Sequence, residues 1–546
     1  MKFTTTGLIS LAITLLSSTV YANDVTYSVV AFPAQGEKVS VNVGNQSYPL
    51  QSSSTCPGVY TGNAPFGAEY HYALVDASGK ATAEPFKRTL AQNSSTTGNE
   101  FFGRSKTLWD IPELPQAFPP MYPSLKSGMW SDNEIATVIV KADGPALDKI
   151  LKKPEEDHKY AHVFNLTYVN HDSCYTFTDA GIRNSGQSSK EYAKQSFNLK
   201  LGKFNKGSDD RLFNRKALKM RAEADDPAFI RDKLSLDVLK ASGAIHLDGN
   251  FARLFVNDKP YGLYLMTDDE FVGFTDNLMN GGKADPNIGA TFKGNSMSAT
   301  QCADLVYKGD DEKKYDFSDI YFLGTEGHDK NVTDENYGAP LISFMKRLSE
   351  VKPGTPTEPG TLNDLIDNTN QTMAQLAVNM LIGAWDGFWY GGTNFYLTEH
   401  LDTKKWNLIT YDFDDTFGND MTDKSMVTAP YEQYAPKNAK RPFIDAFIKD
   451  PYYKPQFEAI LKTIVERYFN PATMKKRLDA YTEMLQEDIA WDYNLKKPSP
   501  GRDEKFTLQS FKTNMYNASN DRMGILDYIN QRSSATAKQL NITLNN

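Results

Sequence analysis

Two short alternating runs, Phe395-Tyr-Leu-Thr398 and Trp406-Asn-Leu-Ile-Thr-Tyr411, stand on either side of the turn-like stretch 401–405. Alternation with a short return predicts an antiparallel hairpin, and a hairpin brings the residues at its open end together. Here those residues are Asn394 and Asp412. A helical run over 375–384 leads straight into the hairpin through the aromatic, glycine-bearing loop 385–394, which carries Asp386. The pattern therefore predicts an acidic loop, an amide and a second acidic loop, Asp412 to Asp415, on one β-scaffold.

At 546 residues and 40% hydrophobic, the chain is too long for one ordinary domain and has ample apolar material for a large core. Residues 1–22 combine a charged start, an apolar run and a small-residue end, the pattern of a secretory signal peptide. Over 23–100, short strand-like runs such as 26–30 and 39–43 lie between Gly, Asn and Pro and predict a small all-β sandwich. The proline-rich stretch 101–130 reads as a linker, 131–505 as the core, and 506–546 as a C-terminal helical segment.

Within the core, strand-like runs at 135–140, 161–168 and 196–201 and a hairpin over 251–266 predict a first lobe spanning about 131–270. Asp226 is placed as the cap of a helix starting at Pro227, with Ile230, Leu234 and Val238 on one face and Gly243 as its stop. Helical text dominates the second lobe, about 271–505, where Asn470-Pro471 opens a helix. The fold class is α+β: a two-lobed core resembling an atypical protein kinase, preceded by the sandwich.

A net charge of -9 and the lack of any Lys/Arg block argue against a nucleic-acid partner. Cys56, Cys174 and Cys302 are too few for a disulfide scaffold or a tetrahedral zinc site, and allow one bridge with one free thiol. Asn45, Asn93, Asn165, Asn331, Asn370, Asn517 and Asn541 each begin a glycosylation sequon, as suits a secreted chain. No later stretch reads as transmembrane, and the C-terminus lacks the apolar tail of a lipid anchor. The expectation is a soluble, secreted mature protein without a transmembrane anchor.

Phosphoryl transfer needs a carboxylate to orient the attacking hydroxyl, and an amide with another carboxylate to hold metal ions. Asp386, Asn394 and Asp412 supply that set, and Mg²⁺ suits a site with few protein ligands. Taken singly, each has a plainer use: Asp386 as a turn residue, Asn394 as a strand-edge cap, and Asp412, Asp414 and Asp415 as caps or calcium ligands. In the first lobe, the segment 181–186 offers small residues and backbone donors for phosphates, and Arg183 and Lys194 can reach the same place. Neither His-Arg-Asp nor Gly-x-Gly-x-x-Gly is present, so an ordinary protein kinase is excluded.

The run from Gly181 to Gly186, then Lys194-Gln-Ser-Phe197, Asp226-Pro-Ala-Phe-Ile-Arg231, Leu254-Phe-Val-Asn257 and Tyr261-Gly-Leu-Tyr264, resembles the CotH spore-coat kinase family. Trp385-Asp386, Thr393-Asn394 and Tyr411-Asp412-Phe-Asp414-Asp-Thr-Phe-Gly418 follow in matching order, and the likeness extends over about residues 130–500. It is nearest to the secreted, invasin-type CotH-like proteins of mucoralean fungi. The resemblance implies a protein kinase that moves phosphate from ATP, with Mg²⁺ or Mn²⁺, to Ser/Thr of a spore-coat or other protein substrate. It makes Asp386 the catalytic carboxylate, Asn394 and Asp412 metal ligands, Asp414 a further metal candidate, and Lys194 a phosphate contact. Met266 and Asp268 fall where the lobes join and adenine is expected; many members carry Glu at the latter position.

Some fungal members are surface invasins, so the alternative is a non-catalytic adhesin that binds a host receptor or coat partner on the same scaffold. A glycoside-active enzyme with paired carboxylates Asp386 and Asp412 is a third reading, but it gives Asn394 and Lys194 no role.

Overall fold

A computed structural model describes residues 24–269, 273–333 and 335–544, so the signal peptide expected at 1–22 lies outside the described residues. The chain divides into two compact units, meeting in sequence at Lys106 and Thr107. Among its described residues the first unit holds strands and no helix. Asp24–Val30 pairs antiparallel with Val59–Pro65 and parallel with Thr96–Phe101. Val25, Tyr27 and Val29 alternate inward onto Val39, Val41, Leu50 and Tyr72, as a half-buried strand requires.

The second unit is mixed α/β. Eight strands form its first sheet, in the order Cys174–Phe177, Ala161–Val169, Ala180–Ser185, Ser196–Lys200, Ala217–Arg221, Lys259–Asp268, Gly249–Val256 and Ala136–Ala142. Ala136–Ala142 also pairs with Ala161–Val169, so the path closes into a ring, with Cys174–Phe177 appended to it. The period of two sorts its side chains. Ile182, Phe197, Leu199, Leu218, Met220, Tyr264 and Met266 share one apolar core. The alternate residues Arg183, Asn198, Lys200, Lys219 and Arg221 face a cavity on the other side.

A second sheet orders Tyr321–Thr325, Ile288–Gly294, Phe395–His400 and Lys405–Thr410. Its last two strands are the expected hairpin, in register from Phe395 opposite Thr410 to His400 opposite Lys405. Helices pack around it. Thr369–Ile382 is buried nearly all round, is capped by Asn368 and stops at Gly383, whose φ of 69° suits a residue without Cβ. Pro471–Asn494 begins at the expected Asn470 cap, whose side chain accepts from Thr473 N at 3.1 Å. Among the described residues no helix is long and apolar enough to cross a membrane.

One expected boundary is corrected. The helix assigned to Pro227 begins at Arg231 and runs to Ala241, because Phe229 takes a φ of 60°, which breaks any helical path through it. Asp226 does not cap at Pro227. Its carboxylate accepts from the backbone N–H of Ala228 at 2.8 Å and Arg231 at 2.9 Å and pairs with the Arg231 guanidinium.

Candidate active site

The cavity-facing side of the closed sheet meets the open end of the hairpin across a space of about 920 Å³. Arg183, Lys194, Asp386, Asn394, Asp412 and Asp414 all line it. The hairpin end is held to the helix that precedes it. Gln375 accepts from Thr410 Oγ1 at 2.5 Å, and Asn379 Nδ2 donates to the same hydroxyl at 3.0 Å. Helix and hairpin are thereby tied together on either side of Asp386.

Asn394 Nδ2 donates to the main-chain oxygen of Asp386 at 2.7 Å and to its Oδ2 at 3.1 Å. Tyr411 N donates to Asn394 O at 3.1 Å, closing the hairpin just before Asp412. Asn394 and Asp412 both lie in the left-handed region, at φ 55° and 65°. Asn and Asp tolerate that conformation better than other non-glycine residues, and such strain clusters at functional sites.

Arg221, at the end of its strand, sits among the acidic groups. Its Nη2 lies 2.6 Å from Asp412 and 3.3 Å from Asp414, and its Nε pairs with Asp232 in the first turn of the helix Arg231–Ala241. These contacts separate the carboxylates electrostatically. Burial would raise Asp412, but Arg221, Lys219 and Lys293 outweigh it and hold the acid well below the usual range. Asp386 is pushed up to about 7 by burial and then by the Asp412 charge, with the Asn394 hydrogen bond opposing. Burial, then neighbouring carboxylates, also drives Asp414 and Asp415 upward.

Lys194 lies in the wall with its charge already engaged. Nζ is 3.0 Å from Asp492, donates to Leu263 O at 2.6 Å, and stands 4.7 and 4.9 Å from the ring centres of Phe229 and Tyr264. Burial brings its pKa down to about 8, against the pull of Asp492. Gly262 leaves room for this pair, since a Cβ there would lie 1.9 Å from Asp492 Oδ1 and its φ is 125°. Gly262→Ala is expected to displace Asp492 and lower stability by roughly 1–3 kcal/mol, the usual range for overpacking. A thermal melt of the variant checks it, and an unchanged Tm counts against the steric assignment.

Met266 and Asp268 do not line the cavity. They pair with Met220 and Leu218, on the face of the sheet opposite Lys219 and Arg221, so strand parity points them away. Asp268 is buried in an ion pair with Arg215. The cavity is instead reached by the next residue, Asp269, which accepts from Asn198 Nδ2 at 3.0 Å. Sequence reasoning also passed over Arg221, Glu223, Asp225, Asp420, Lys219 and Lys293, all in the lining. The usable signal was the acidic run that follows Arg221 at a strand end.

The sequon residues Asn45, Asn93, Asn331, Asn370, Asn517 and Asn541 are exposed, whereas Asn165 is half-buried within a strand and accepts from Thr167 Oγ1 at 3.1 Å. Cys302 is a buried free thiol.

A family model described as CotH kinase protein matches residues 182–536. Invasin CotH2 of Rhizopus delemar is 26% identical over 559 residues, covering 98% of this chain and 88% of that protein. Invasin CotH3 of the same organism is 27% identical, with 96% and 86% covered. Its Spore coat protein homolog 1 is also 27% identical, with 96% and 83% covered. A match that takes in the strand of Arg183, the wall at Lys194 and the whole hairpin with its acidic loops places this chain in the CotH kinase protein family.

Proposed function

We propose that the cavity binds ATP with Mg²⁺ or Mn²⁺ and transfers phosphate to a Ser or Thr hydroxyl of a protein, in an atypical two-lobed kinase. The observation that carries this reading is the sorting of charge within one cavity. Arg183, Lys194, Lys219 and Lys293 lie in its wall, while Asp386, Asn394 and Asp412 converge at the hairpin end. Hard oxygen donors such as the Asn394 amide and the Asp412 and Asp414 carboxylates suit a hard cation. Asn394, Asp412 and Asp414 are the residues that would hold it. When bound, the ion would neutralise phosphate charge.

The chain's own groups have separable tasks. Asp386 accepts the proton of the attacking hydroxyl, and its raised affinity for protons suits a base. Asn394 orients that residue through two hydrogen bonds, one to its main-chain oxygen and one to its carboxylate. Arg221 keeps Asp412 ionised, and Arg183, stacked 4.8 Å from the ring centre of Tyr160, presents a guanidinium to the phosphate side. Lys194, fixed by Asp492, adds positive charge from the wall. The relatives' names, invasin and spore coat protein homolog, support a place at a spore or cell surface and a protein partner there.

Wild-type protein is expected to incorporate labelled phosphate from ATP only with divalent metal, and Asp412→Ala to abolish it. Nucleotide with metal at a hundred times its Kd stabilises the folded state by about 2.7 kcal/mol, seen as a raised Tm. Metal-dependent incorporation unchanged in Asp412→Ala would refute the assignment. Binding to cells or spores that survives Asp386→Ala, in a wild type without transferase activity, would favour the adhesin reading.

A further inference from the structure

Next to the hairpin end lies a carboxylate group that the assignments above leave unused. Asp225, Asp415 and Asp420 each offer an oxygen, and the three atoms lie within 4.8 Å of one another. Asp225 comes from the run that leaves the Arg221 strand, and the other two come from the loop after Asp412. All three line the cavity, and so does Glu223. Glu223 is only 6% exposed, its Oε1 takes Arg221 Nε at 3.3 Å, and its Oε2 has no hydrogen-bond partner among the described residues. A buried carboxylate oxygen left without a donor is costly, so its persistence in a cavity wall points to a ligand that satisfies it.

The protein supplies little charge of its own to this group. Arg522 Nη2 stands 2.9 Å from Asp420 Oδ2, and Arg522 Nε donates to the main-chain oxygen of Asp225 at 3.2 Å. Among the described residues no ion pair reaches Asp225 or Asp415. The donors are all oxygen, which selects a hard ion.

We propose that Asp225, Asp415 and Asp420, with Glu223, form a second site for a hard divalent cation, distinct from the one assigned to Asn394, Asp412 and Asp414. The ion joins the segment after Arg221 to the loop after Asp412. This rests on the carboxylates alone and stands whether or not the cavity takes a nucleotide.

Metal-stripped full-length protein is titrated calorimetrically with CaCl₂, and separately with MnCl₂ and MgCl₂, without nucleotide. One divalent-cation site is expected in wild type and in Asp412→Asn. Asp225→Asn/Asp420→Asn should weaken it by at least about 10–100-fold, the loss typical of disturbed metal ligation. Unchanged affinity and stoichiometry in that double variant would overturn the proposal. Because the variant can lose its fold, wild-type crystals soaked in Mn²⁺ provide an independent measurement. An anomalous peak among the three carboxylates supports the site, and its absence at saturating Mn²⁺ rejects it. Failure of wild type to transfer phosphate would sink the kinase reading and leave this peak expected.

Discussion

If the proposed reading holds, Asp386→Asn is expected to lower phosphate incorporation from ATP on the order of 10²–10⁴-fold, the range for loss of a general base, and to leave the fold intact. The substitution keeps size and shape. Its amide oxygen can still accept from Asn394 Nδ2, which now stands 3.1 Å from Asp386 Oδ2. What it loses is the ability to take a proton. It also removes one of two adjacent negative charges, since Asp412 is the neighbour that pushes Asp386 upward, so no loss of stability is expected from charge. Initial rates with labelled ATP at saturating metal are the measurement, with Tm as the control for folding. A rate within twofold of wild type would remove Asp386 from the chemistry.

The largest loss of stability is expected at Arg231. Its guanidinium and the Asp226 carboxylate are both completely buried and paired. Nε also donates to Thr416 O at 3.1 Å and Nη2 to Met523 O at 2.7 Å. Arg231→Met leaves a buried carboxylate without its cation and costs roughly 3–5 kcal/mol. Replacing both partners, as Arg231→Met with Asp226→Leu, should recover part of that, because the uncompensated charge is what destabilises. Urea unfolding of the two variants beside wild type decides it. An Arg231→Met midpoint equal to that of wild type would rule the pair out as a structural tie.

The hairpin and its two acidic loops were readable because alternation and a short return specify a strand pair with few alternatives. The parity of Lys259–Asp268 was not. Nearly the whole strand is buried on both faces, so no polar alternation marks Met266 and Asp268 as facing the core while Lys219 and Arg221 across the sheet face the cavity. Lys194 lines the cavity, but its partner Asp492 arrives from a helix far along the chain, beyond what local spacing reports. Arg221 carried no motif. A single arginine at a strand end looks like any solvated charge until the fold surrounds it with Asp232, Asp412 and Asp414. The late start of the helix at Arg231 follows from one backbone angle at Phe229, and propensity gives no warning of it.

Closure of the large sheet also bears on how this molecule can meet other proteins. A strand along the ring has neighbours on both sides, so its main-chain donors and acceptors are spent internally and an extended peptide finds no row to zip onto. Partner choice in that region therefore falls to side chains and loops, which can vary in sequence without disturbing the scaffold beneath them. The same closure denies other copies of the chain a template for edge-to-edge pairing there.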